Sequence, residues 1–190
     1  NDSGAKAVIT TREYVNEVEE IKDVCKTLEN IIVVGETSRD QISYKELMKT
    51  APESLELADT KSEDMAFFCY TSGTTGFPKG VVNRNRSGIV DWYRYIASLM
   101  INPAEDILYT CLPLFHANAL ILTAGWAMAG GVPFGLDKRF SASRFWDRVR
   151  HYGATQFNGL GAMIPILMKQ PPQPDDGDNP VRIVHSAACP

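Results

Sequence analysis

Apolar residues fall along this chain in short clusters at two different spacings. Residues 7–10 (Ala7, Val8, Ile9, Thr10) and 31–34 (Ile31, Ile32, Val33, Val34) are compact runs of strand length. Between them Tyr14, Val18, Ile21, Cys25 and Leu28 recur at helical spacing. A β-α-β unit follows, with the helix as the crossover that parallel strands require. The acidic residues of that helix (Glu13, Glu17, Glu19, Glu20, Asp23) form its solvated face. Residues 35–63 are polar and read as a connector with one short helix near 44–48.

The same alternation continues beyond the connector. A buried strand is predicted at 66–70, and Ile89, Tyr93, Ile96 and Met100 mark one face of a helix that Asn102-Pro103 ends. A strand at 107–111 must leave its sheet at Pro113, which has no N–H to donate to the ladder. An apolar helix over 117–130 leads to a strand at 132–136. Ser141 caps a helix carrying Phe145 and Val149, and Gly153 stops it before a strand at 155–157. A short helix at 162–168, an exposed Pro/Asp-rich loop at 170–180 and a strand at 182–185 complete the pattern. Strands alternating with helices predict an α/β fold with largely parallel sheets flanked by helices.

Composition narrows the function classes. At 190 residues, 44% hydrophobic and 22% charged, the chain has the make-up of an ordinary globular domain. Its formal charge of −4 gives no global attraction to nucleic acid, so anions must be held by local sites. Cys25, Cys69, Cys111 and Cys189 form no Cys-x-x-Cys pair, and His116, His151 and His185 have no metal-ligand spacing, so no metal site is predicted. Cys69 and Cys111 sit in strand-like runs and read as buried, reduced thiols of a cytoplasmic protein. The longest apolar run, 117–131, is shorter than the roughly 20 residues of a membrane span, and no secretory signal is seen.

One segment carries chemistry. Tyr70-Thr71-Ser72-Gly73-Thr74-Thr75-Gly76-Phe77-Pro78-Lys79-Gly80 places hydroxyls and glycines around one lysine directly after an apolar strand. Backbone N–H groups, hydroxyls and a point charge are what a phosphate needs. The common P-loop pattern Gly-x-x-x-x-Gly-Lys-Ser/Thr fits no register of it, since the residue five after Gly73 is Pro78 and Lys79 precedes Gly80.

The eleven residues resemble the phosphate loop of the adenylate-forming (AMP-binding) superfamily, which includes acyl-CoA synthetases, luciferases and peptide-synthetase adenylation domains. The likeness extends over most of the chain. Asn1-Asp2-Ser3-Gly4-Ala5-Lys6 is similar to the segment opening a βαβ unit in acyl-CoA synthetases. Leu112-Pro113-Leu114-Phe115-His116 is similar to their Pro-x-Phe-His segment, and residues 139–146 and 152–155 to their run toward the acyl pocket. The branch it resembles contains crotonobetaine/carnitine-, fatty-acid- and bile-acid-CoA ligases.

The resemblance implies an acid:CoA ligase. A carboxylate attacks the α-phosphate of Mg·ATP, pyrophosphate leaves, and the thiol of coenzyme A displaces AMP from the acyl-adenylate. It implies that Thr71, Ser72, Gly73, Thr74, Thr75, Gly76 and Lys79 wrap the ATP phosphates, with Lys79 and His116 as catalytic residues and His116 on the acyl-carboxylate side. From the residues alone, His116 reads first as a satisfied core histidine, and it is the resemblance that favours the site. Asn158, Gly159 and Gly161 are similar to the acyl-tunnel wall, a strand-to-helix turn being the other reading. Ser186, Ala187, Ala188, Cys189 and Pro190 are similar to a Ser-Gly-Gly-Ala-Pro loop against adenine, with alanines in place of the two glycines. Asn85 stands where relatives commonly have histidine.

The family's Tyr-Gly-x-Thr-Glu segment, ribose-binding aspartate, hinge and C-terminal lysine have no counterpart here. Residues 1–190 therefore read as part of the large N-terminal domain: a βαβ unit and connector over 1–63, and the phosphate loop and acyl-pocket region over 64–190. The C-terminal domain lies outside the chain, and the fragment is not expected to turn over alone. The expected partners are a small carboxylic acid, ATP, Mg2+ and CoA, the remainder of the polypeptide and a homo-oligomer, with neither nucleic acid nor a membrane span. Two alternatives stand beside the ligase: an enzyme loading a carrier protein, and a non-catalytic nucleotide-binding module.

Overall fold

The computed structural model describes residues 2–38, 40–71 and 76–187, with backbone alone at 87–90 and 187. It divides into two compact units, one of residues 1–61 and 66–83 and the other of residues 62–65 and 84–190.

In the first unit, β1 (Ala7–Thr11), β2 (Asn30–Val34) and β3 (Ile42–Ser43) form a parallel sheet in the order β1-β2-β3, with Val8 opposite Ile31 and Thr10 opposite Val33. Helix α1 (Val15–Lys22) is the crossover. It buries Val15 completely against Ile31 and Val33, while Tyr14 and Ile21 stay about half exposed, so its core face is rotated from the one the spacing predicts. The helix stops at Lys22, and Leu28 reaches the same core from the turn beyond it. Ser43 caps α2 (Tyr44–Thr50) by accepting from the Glu46 N–H at 3.4 Å. β4 (Met65–Thr71) and β5 (Lys79–Arg84) form a separate two-stranded sheet. The connector's β3 and all of β5 are additions to the predicted pattern.

The second unit is built on a parallel sheet in the order β7-β6-β8-β9, from β6 (Leu108–Thr110), β7 (Phe134–Leu136), β8 (Gln156–Leu160) and β9 (Ile183–Ala187). All three residues of β6 are buried, as expected of a parallel strand covered on both faces. Strand alternation splits its side chains. Leu108 joins Ala97 and Ile101 of α3 (Ser87–Met100) and its C-cap, and Trp126 and Ala127 of α4 (Trp126–Gly130). Tyr109 joins Phe145 and Val149 of α5 (Phe145–Tyr152), Phe157, and Met163 of α6 (Met163–Met168). Cys111 is buried there as predicted, whereas Cys69 is only partly covered.

The helix expected over 117–130 is two structures in series: a π-helical segment, Asn118–Gly125, and then α4. Likewise a single 3-10 turn, Ala142–Arg144, precedes α5, and left-handed Gly153 ends it. At Gly135 in β7 the Tyr152 ring lies so close that a Cβ would stand 2.6 Å from its Cγ. That ring is pinned by Tyr109 at 5.7 Å between centroids and by the Arg148 guanidinium 4.8 Å over its face.

Replacing Gly135 with Ala therefore forces the ring or the strand to move. We expect a loss of about 1–3 kcal/mol, the usual cost of overpacking a filled site. Urea unfolding of wild type and variant measures it, and equal midpoints would show that the ring yields freely.

Candidate functional site

Thr71 closes β4 and is exposed, and the chain re-enters regular structure at Lys79, the first residue of β5. Gly76 has φ +143°, a backbone conformation open to glycine and strained for other residues. Phe77 is 93% exposed, and Lys79 is exposed and makes no ion pair among the described residues. Beneath the segment, Tyr70 donates its hydroxyl to the Asp2 carboxylate at 2.8 Å, tying the chain's start to the strand that delivers Thr71. Ser72, Gly73, Thr74 and Thr75 lie outside the described residues, as do Ala188, Cys189 and Pro190.

His116 belongs to the second unit. It lies in the turn that follows β6, where its N–H donates to Pro113 O at 2.9 Å, and it is exposed rather than buried. Its Nδ1 accepts the Asn118 N–H at 3.1 Å, so the ring carries its proton on Nε2 when neutral. That N–H is the group the ring has left to offer a ligand. Leu120 N donates to His116 O, joining the histidine directly to the π-helical segment.

Asn158 holds the other end of that segment. Its Nδ2 donates to Leu122 O at 2.9 Å and to Thr123 Oγ1 at 2.8 Å, with Asn158 only 2% exposed and Thr123 fully buried. A helix carbonyl bonded to a strand side chain is one less carbonyl for the helix's own ladder. This accounts for the widened turn here, since the Trp126 N–H reaches back to Ile121 O and Thr123 O and passes over Leu122. Among the described residues, the Oδ1 atoms of Asn118 and Asn158 are buried without a partner, as is Ser186 Oγ. A buried acceptor left unpaired is costly, so these atoms mark positions suited to a donor.

Next to Asn158 across the sheet stands His185. Gln156 spends its Nε2 on Met100 O (2.7 Å) and Asp106 (2.9 Å), leaving Oε1 to accept from His185 Nε2 at 3.1 Å. The Trp126 ring meets the imidazole edge-on at 5.0 Å. Burial, helped by the Arg182 charge, pushes His185 below its ordinary pKa and keeps it neutral.

Strand alternation divides the residues of β8 and β9. Asn158 and His185 face the π-helical segment and α4, whereas Gly159 and Ser186 share the opposite face. Gly159 is pressed under α6, where a Cβ would stand 3.0 Å from Ile164 Cδ1. Ser186 borders a cavity of about 960 Å³ on that face, walled by Trp146, Phe157, Ile164 and Leu167. Gly161 sits in the turn before α6. Gln156, His185 and Thr123 were not singled out from the sequence. The one signal for Gln156 and His185 was a polar residue within an otherwise apolar strand, and for Thr123 a lone hydroxyl in an apolar run.

The family model described as "AMP-binding enzyme" matches residues 1–190. The medium/long-chain-fatty-acid–CoA ligase FadD6 of Mycobacterium tuberculosis is 39% identical over 128 residues, 65% of this chain and 21% of that protein. Human long-chain fatty acid transport protein 1 is 34% identical over 190 residues, 95% of this chain and 29% of that protein. The chain thus spans less than a third of these relatives' length. Among solved structures, the inhibitor-bound N-terminal domain of FACL13 from M. tuberculosis superposes with a TM-score of 0.80 at 24% identity, covering 100% of this chain and 46% of that one, which establishes the shared fold.

If Asn158 sets the π-helical turn, Asn158→Leu should lose both bonds and let the turn relax toward α-helical register. Two lost buried bonds cost about 2–4 kcal/mol, whereas Asn158→Gln, which keeps the amide, should retain part of that. Backbone NMR of residues 116–125 reads the register. Unchanged shifts in the leucine variant would show that the turn is held by something else.

Proposed function

Because the chain belongs to the AMP-binding enzyme family, we propose that the protein containing it is an ATP-dependent, AMP-forming acid:CoA ligase. The acids it takes are medium- to long-chain fatty acids, the class named for FadD6 and, in its long-chain part, for the human relative. The observation that carries the reading is the family match over all 190 residues, together with the segment from Thr71 to Lys79 running from the end of one strand to the start of the next.

In this reading the exposed Lys79 ammonium, with Thr71 and the loop ending at Gly76, holds the ATP phosphates, and Mg2+ enters with the nucleotide. Adenylation needs charge and positioning at phosphorus more than covalent help from the protein, and a solvent-facing lysine with no carboxylate partner among the described residues supplies the charge. The acid's carboxylate is oriented by the Nε2–H of His116, whose ring the Asn118 N–H fixes from behind. Asn158 supports that arrangement through the π-helical segment. Attack of the carboxylate on the α-phosphate expels pyrophosphate, and the CoA thiolate then takes the acyl group and releases AMP. Ser186 and the residues after it are assigned to the adenine side. Residues 1–190 form part of the N-terminal domain in this account, and the protein works in the cytoplasm. Among the described residues no helix is long and apolar enough to cross a membrane.

Lys79→Ala in the complete protein should raise KM for ATP and lower the adenylation rate by roughly 10²–10³-fold, the range seen when one preorganised donor is removed. KM for the acid should change little. His116→Ala should shift the acid parameters instead. ATP–pyrophosphate exchange measures both, and a Lys79→Ala enzyme with unaltered ATP dependence would refute the assignment.

A further inference from the structure

The segment assigned to the ATP phosphates has two ends, Thr71 at the close of β4 and Lys79 at the start of β5, and one side chain bears on both. Tyr70 immediately precedes Thr71. Its ring lies against Gly80, the residue after Lys79, where a Cβ would stand 3.2 Å from Tyr70 Cε1 and Cζ and 3.3 Å from Phe68 Cδ1. Phe68 and Tyr70 share one side of β4, with ring centroids 6.1 Å apart, so Gly80 rests on both rings. The tip of the Tyr70 ring is held separately, by the hydroxyl's 2.8 Å bond to Asp2 Oδ2. Asp2 reaches it from a turn in front of β1, in which Gly4 is left-handed at φ +63° and Ser3 Oγ accepts the Ala5 N–H at 3.3 Å. The bond to Asp2 raises the Tyr70 pKa above its ordinary value, so the hydroxyl remains the donor at neutral pH.

Tyr70 is about half exposed and Asp2 is exposed, and Asp2 makes no ion pair among the described residues. A bond between two solvated groups adds little to stability, for the same reason that surface ion pairs do. What it fixes is a position. A solvated tyrosine held only at its stem changes rotamer readily, whereas this ring is held at its stem, its face and its tip. Any shift of the ring is passed to the backbone on both sides of the segment. We propose that Tyr70 is a positioning residue for the ATP phosphates and that Asp2 locks it, the Asp2–Tyr70 bond setting the separation of Thr71 and Lys79. Tyr70 has this role only if the segment from Thr71 to Lys79 holds ATP, as proposed above. A misplacement of about 1 Å costs up to roughly 10²-fold in rate where groups must be aligned, so a bond of small energy carries a large kinetic effect.

The test uses the complete protein. Tyr70→Phe keeps the ring on Gly80 and loses the bond, Asp2→Ala loses the same bond from the other side, and Asp2→Asn keeps an amide oxygen to accept it. Thermal melting checks the fold, and ATP–pyrophosphate exchange gives KM for ATP and for the acid. Tyr70→Phe and Asp2→Ala should each raise KM for ATP by about tenfold and leave KM for the acid within about twofold. The double variant Tyr70→Phe/Asp2→Ala should be no worse than either single one, since both remove one bond, and Asp2→Asn should stay within about threefold of wild type. A merely structural role would lower the melting temperature and leave both KM values unchanged. Lys79→Ala is measured alongside. If it weakens ATP use while Tyr70→Phe and Asp2→Ala keep the wild-type KM for ATP, the positioning role is overturned and the ligase reading stands. Additive losses in the double variant would overturn the lock between the two residues. If Lys79→Ala leaves the ATP dependence unaltered, the ATP assignment fails and the positioning role fails with it.

Discussion

One buried carboxylate organises the larger sheet. Asp106 precedes β6, and its side chain is wholly out of solvent. It accepts from the Asn102 N–H just past α3, from the Thr155 hydroxyl before β8, from the Gln156 amide within β8, and from the Arg182 guanidinium before β9. Burial alone would raise its pKa. Arg182, Thr155 and Asn102 more than reverse that and hold it at about 2. Three stretches far apart in the chain, 102–106, 155–156 and Arg182, thus share one anion, at the end of the sheet where β6, β8 and β9 begin.

The consequences run along the strands. With their starts pinned, β8 and β9 keep the register that sets Asn158 opposite His185 and Gly159 opposite Ser186. Gln156 belongs to both networks, since its Nε2 reaches Asp106 and its Oε1 accepts from His185. Asn158 then widens the helical turn whose first residues steady His116. A frame at one end of the sheet and candidate chemistry at the carboxyl end is the usual division of labour in parallel α/β sheets. The ion pair matters more for register than for net stability, because much of its Coulomb energy is offset by desolvation.

Much of this architecture was legible because it is local. The β-α-β unit and the stop at Gly153 each follow from spacing or residue type within a few positions. What was hidden depends on partners far away in sequence. The π-helical turn owes its shape to Asn158, and nothing between 117 and 130 announces it. Asp106 looks like any acid before a strand until Arg182 arrives beside it. Val15 took the core position expected of Tyr14 because sheet geometry, and not periodicity, decides which face of a short helix is covered. β5 is missing from the predicted pattern because Pro78 and Gly80 mask the β-branched pair Val81-Val82. For the site, residue types were readable, but orientations were not: the Nε2–H of His116 is fixed by a backbone donor that no pattern shows.

Native-state amide hydrogen exchange of an Arg182→Met variant tests the organising role of Asp106 most directly. The substitution leaves a buried carboxylate without its cation, an imbalance worth about 3–5 kcal/mol. If Asp106 ties the segments together, amides of β6, β8, β9 and the end of α3 should lose protection together and by similar amounts, while the β1-β2-β3 sheet keeps its own. Loss of protection confined to the immediate neighbours of the substituted position would contradict the account.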